Sequence, residues 1–121
     1  MKYMILIYAD PANEPVWGTP AFDAWIAGYG TLNAKLKADG IPVSGSGLQG
    51  VSTATSVRVR GGKVETMDGP FAETKEQLGG YFVIEVADLD TALDWAALAP
   101  SALTASVEVR PVLPPMPAPG Q

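Results

Sequence analysis

Residues 2–8 read Lys2-Tyr3-Met4-Ile5-Leu6-Ile7-Tyr8, and the fold turns on how this stretch is read. In an extended chain successive side chains point to opposite faces. Tyr3, Ile5 and Ile7 then share one face, and Met4, Leu6 and Tyr8 share the other. Both sets are largely apolar, which marks a central strand covered on both sides. The strand runs out at Asp10, and Pro11, Pro15 and Gly18 make Asp10–Thr19 a loop.

A helix follows. Thr19 suits its N-cap and Pro20 its first turn. Phe22, Trp25, Ile26, Tyr29, Leu32 and Leu36 recur at helical spacing as one apolar stripe. Lys35 and Lys37 sit where the helix dipole favours cations, and Gly40 with Pro42 ends the helix. Ile41–Leu48 reads as a short strand broken by glycine. Thr53–Arg60 is a stronger one, because Thr55, Val57 and Val59 alternate with Ser56, Arg58 and Arg60. Gly61-Gly62 is a hairpin turn, and Lys63–Asp68 is the returning strand. Gly80–Val86 is the next strand. Asp88 or Asp90 then caps a second helix carrying Leu89, Ala92, Leu93 and Ala96 on one side, and Pro100 stops it. Ser106–Leu113 closes the series as a strand.

The order β-α-β-β-β-α-β becomes two βαβ halves once one hairpin strand is set aside. The expected architecture is α+β, one domain over residues 1–113. Residues 114–121, with Pro114, Pro115, Pro117 and Pro119, form a Pro-rich tail expected to be disordered. A chain of 121 residues suits a single core.

Composition removes several classes of function. There is no Cys and no His, so thiolate chemistry, disulfides and imidazole bases are excluded. Eight basic residues among thirteen acidic ones, net charge −5, do not make a nucleic-acid surface. No apolar run approaches the roughly 18 residues that span a bilayer, so a cytoplasmic protein without membrane contact is expected. No carboxylate pair has metal-ligand spacing, and Gly45-Ser46-Gly47 lacks the Lys and spacing of a phosphate loop. Neither a metal nor a cofactor is implied.

Two helices cover one face of such a sheet. If Val57, Val59, Phe82, Ile84, Val107 and Val109 meet the helices, then Arg58, Arg60, Tyr81, Glu85, Glu108 and Arg110 face away, beside the second apolar face of the first strand. A face both apolar and charged suits a homodimer interface enclosing a polar cavity. The competing reading is a solvated face with cross-strand Arg–Glu pairs.

The segment Asp68–Tyr81, DGPFAETKEQLGGY, closely resembles the signature of the DGPF branch of the YCII-related family. The opening KYMILIYAD, the phrase ATSVRVRGGKV and the closing SVEVRPV resemble the same family. The resemblance implies a ferredoxin-like βαββαβ sandwich with an extra hairpin strand, pairing face to face as a dimeric α+β barrel. The wider family's His–Asp pair would put its His near Tyr29 here, and no His is present. Many members of the branch lie near extracytoplasmic-function sigma factors, which implies a stress or regulatory setting.

The candidate catalytic residues are Asp68, as a base or as the cap of its own turn, and Tyr29, whose place on the helix stripe suits a core side chain more than an acid. Arg58, Arg60, Glu108, Arg110 and Glu73 are the candidate ligand-binding residues around a cavity for a small organic anion, since Arg grips carboxylate and phosphate in two-pronged fashion. Such a cavity serves either a proton-transfer enzyme of lyase or isomerase type, or a non-catalytic sensor.

Overall fold

The computed structural model describes residues 1–70 and 74–115. Glu73 and residues 116–121 of the tail lie outside the described residues. Among the described residues, six strands and three helices follow one another: β1 (Lys2–Ala9), α1 (Pro20–Ala38), β2 (Val43–Gly47), β3 (Thr55–Arg60), β4 (Lys63–Asp68), β5 (Gln77–Glu85), α2 (Leu89–Ala96), α3 (Ser101–Thr104) and β6 (Val107–Pro111). A single 3₁₀ turn, Val51–Thr53, precedes β3.

The main sheet has four strands in the order β2-β5-β1-β6, antiparallel throughout. This is the ferredoxin-like order, with β3–β4 inserted between its second and third strands. β1 is central, as its two apolar faces require. Its partners fix those faces: Ile5 lies opposite Phe82 and Val109, whereas Leu6 lies opposite Tyr81 and Glu108. The ladder slips once, between Ile7 and Tyr8.

The core fills the space between the first face and the helices. Tyr3, Ile5 and Ile84 meet Leu32 and Leu36 of α1 and Ala92 and Ala96 of α2. Thr19 caps α1 by accepting the Phe22 N–H at 3.2 Å. Asp88 caps α2, accepting from both the N–H and the hydroxyl of Thr91. α1 lies so close to Pro100 that a Cβ on Gly28 would stand 2.7 Å from the proline Cγ. Glycine there lets the helix approach the α2–α3 corner.

Three expectations are corrected. First, β3 and β4 form a separate two-stranded sheet, so Val57 and Val59 do not face the helices; they are 58% and 57% exposed. Alternation gives a strand two faces but does not say which sheet it joins. Secondly, Ile26, Leu89 and Leu93 are about half exposed despite their helical spacing. The apolar stripes are wider than the strip of sheet beneath them. Thirdly, Pro100 does not end helical structure: it opens α3, which the sequence reading omitted. The Gly61-Gly62 turn is as expected, with φ of +57° and +75°, as a type I′ turn demands.

The contrast within the α1 stripe is testable. Leu36, 1% exposed, should lose about 2–5 kcal/mol on Leu36→Ala, whereas Ile26, 48% exposed, should lose under ~1 kcal/mol on Ile26→Ala. Urea unfolding of the two variants checks the order.

Candidate functional site

The face of the sheet away from the helices presents Met4, Leu6 and Tyr8 of β1, Tyr81 and Val83 of β5, and Glu108 and Arg110 of β6. These apolar side chains are half-buried by one another. Glu108 and Arg110 are ion-paired at 3.7 Å on the same strand, and the Tyr8 hydroxyl donates to Glu108 Oε1 at 3.2 Å. The Tyr8 hydroxyl is pushed above its ordinary pKa by burial first and by Glu108 second, against a smaller opposing pull from Arg110.

At the C-terminal end of β1 this face opens into a cleft of about 750 Å³. Three segments converge on it: Tyr8, Asp10 and Asn13 at and beyond the end of β1; Thr74, Lys75 and Glu76 before β5; and Leu103–Glu108, from the end of α3 into β6. Antiparallel pairing brings them together, because β5 and β6 both start where β1 ends.

Asp10 is the most enclosed charge there, 4% exposed. Its Oδ1 accepts the Ala12 N–H at 3.0 Å, and its Oδ2 accepts from Asn13 Nδ2 at 3.2 Å. Its carbonyl accepts the N–H groups of Asn13 and Glu14 at 2.9 and 3.0 Å, so the loop closes on this residue. Lys75 Nζ stands 3.8 Å from Oδ2, but its side chain is 81% exposed and the pair is correspondingly weak. Ser106 Oγ donates to Glu76, and the Thr104 hydroxyl on the cleft wall is buried with no partner among the described residues.

A polar line leads from Asp10 to the helix side. Glu14 sits half-buried beyond it, its carboxyl raised above 4.5 by burial and then by Asp10. Tyr29 lies further in, with its hydroxyl 2.6 Å from Ser101 Oγ, and Ser101 is fully buried. Burial raises the Tyr29 pKa; the Ser101 contacts oppose this and Glu14 adds to it. Trp25 packs edge-on against the Tyr29 ring at 5.3 Å.

The residues singled out from sequence fall in separate places. Glu108 and Arg110 lie on the open face, and Glu108 lines the cleft. Arg58 pairs with Glu65 on the hairpin at 3.3 Å, Arg60 is exposed beside it, and both are off the main sheet. Asp68 is exposed at the end of β4, opposite Thr55, while Tyr29 lies on α1, partly buried against the core. Sequence reasoning passed over Asp10, Glu14 and Ser101. One signal was present: an acid ending an otherwise apolar central strand, with proline next to it.

Among the described residues, no three His, Cys, Asp or Glu side chains are placed to share a metal ion. Among the same residues, no helix is long and apolar enough to cross a membrane.

An antiparallel sheet with helices on one face and a loop-lined cleft at its rim defines the chain as an α+β protein. The model of the YCII-related domain matches residues 1–115, and the chain belongs to that family. It is similar to an uncharacterized protein of Rhizobium meliloti (strain 1021), 35% identical over 114 residues, covering 93% of this chain and 92% of that protein.

Two measurements probe the polar line. Tyr29→Phe leaves the buried Ser101 hydroxyl without its partner and should cost about 1–3 kcal/mol in urea unfolding. Glu14 binds its proton more tightly folded than unfolded, so its contribution is full below pH 4.5 and is lost as pH rises through the higher folded value. The melting temperature of Glu14→Gln, subtracted from that of the parent at each pH, should reveal this decline. An unchanged difference across the range would contradict it.

Proposed function

We propose that this YCII-related chain is a homodimeric binding protein that holds a small polar molecule in the cleft at the end of β1. A second protomer covers the open sheet face. The reading is carried by Asp10, a carboxylate 4% exposed that faces the cleft. A charge withdrawn from water costs free energy unless paired, and Lys75 is a weak partner. A ligand able to donate to that carboxylate would complete it.

The charge of the lining sets the ligand class. Asp10, Glu76 and Glu108 stand against Lys75 and the Arg110 paired with Glu108, so the cleft is net acidic by one charge. An amine or amidine fits it better than an anion. The organic-anion expectation drew on Arg58 and Arg60 sharing a face with Arg110. With those two on the hairpin, the anion becomes the competing outcome. Asp68 and Tyr29 belong to different parts of the molecule, which favours binding without turnover over proton transfer between them. The DGPF motif and the sigma-factor setting implied by the resemblance agree with a sensor role.

Calorimetric titration with putrescine and agmatine, set against succinate, tests this. Binding of a diamine, weakened about tenfold or more by Asp10→Asn in a normally folded protein, is expected. Preferential succinate binding, or diamine binding indifferent to Asp10→Asn, would refute the assignment.

A further inference from the structure

Asp10 is held by neutral donors close to it in the chain and by one loosely placed cation from across the cleft. A carboxylate has about four acceptor positions, and the Ala12 N–H and the Asn13 side-chain amide take two of them. Among the described residues its ion pair is with Lys75. Lys75 Nζ stands 3.8 Å from Oδ2, beyond hydrogen-bond length, so it offsets the charge without docking on it. The partners also differ in burial: the Asp10 side chain is 5% exposed and that of Lys75 is 81% exposed.

The chain on either side of Lys75 is tied down, whereas its side chain is not. The Thr74 hydroxyl donates to the Glu76 carbonyl, and the Glu76 carboxylate accepts from Ser106 Oγ at 3.0 and 3.1 Å. A turn of the flexible four-carbon stem is enough to take the Lys75 ammonium from Asp10 into water. The same ammonium sets the charge of the cleft. Three acids, Asp10, Glu76 and Glu108, face two bases, Lys75 and the Arg110 paired with Glu108, which leaves one negative charge; without Lys75 two would remain.

Resting on the amine reading above, we propose that Lys75 is the specificity-determining residue of the cleft. Its ammonium holds the place of a ligand's cation at Asp10 and yields to an amine that bonds the carboxylate directly. Its charge favours ligands with one positive charge over those with two. A monoamine exchanges one cation for another at Asp10. A diamine brings a second cation towards the displaced ammonium and meets its repulsion.

Calorimetric titration at low salt with butylamine and with putrescine tests this on the parent, Lys75→Met and Lys75→Arg. The altered side chain is exposed, so both variants should keep the parent's circular dichroism. Lys75→Met should bind both amines more tightly, putrescine by about fivefold or more and butylamine by less. The ratio of the two affinities then shifts towards putrescine in Lys75→Met and stays at the parent's value in Lys75→Arg, which keeps the charge. A merely structural lysine would leave that ratio unmoved. A parent that binds amines, with a ratio unchanged or an affinity lowered in Lys75→Met, overturns the role of Lys75 and leaves the amine cleft standing. An equal shift in Lys75→Arg overturns it as well, since charge is then not the cause. A parent and variants that bind neither amine overturn the amine reading of the cleft and the role of Lys75 with it.

Discussion

Everything in this molecule is arranged around a strand that needs cover on two sides. β1 has β5 and β6 as hydrogen-bonded neighbours, so neither of its edges is free. Tyr3 and Ile5 on one face are 4% and 0% exposed, sealed against Ile84 and the helices. Burial of such side chains is the main favourable term in folding. The helices are used up on that side. Met4, Leu6 and Tyr8 on the other face have only the sheet's own side chains for shelter. A fold of this size solves one half of the problem posed by residues 2–8 and leaves the other half to whatever the sheet meets.

The same strand determines where polar chemistry gathers. Because β1 is central and both neighbours are antiparallel to it, the segments preceding β5 and β6 are delivered to the end where β1 stops. Any side chain placed just after β1 is then enclosed by loops from two directions. Asp10 occupies that position and is buried by segments more than sixty residues away in the chain. Its burial is a product of topology. The Asp-Pro turn supplies only the local donors that make the burial tolerable.

This explains what was and was not legible in the sequence. The strand and helix order, the two faces of β1 and the Gly-Gly turn are short-range properties, written in spacing and backbone preference. Which sheet Val57 and Val59 join is long-range, and alternation gives no information about it. Val57 and Val107 look alike as sequence, yet one lies on a free ribbon and the other on β6. That single ambiguity grouped Arg58 and Arg60 with Arg110 on one sheet face, whereas they lie on the separate hairpin. The contact of Gly28 with Pro100, which helps set Tyr29 against Ser101, is equally non-local. A glycine inside a helical pattern signals close packing without naming what packs there.

The absence of histidine also acquires a structural meaning. In a chain without imidazole, the response to pH near and below neutrality falls to carboxylates whose surroundings move them upward. Glu14 is such a group, raised by its partial burial and by the neighbouring Asp10. It stands between the cleft on one side of the sheet and the Tyr29–Ser101 pair on the other. Substitution that neutralises Asp10 removes part of what raises Glu14, and so changes the charge facing Tyr29.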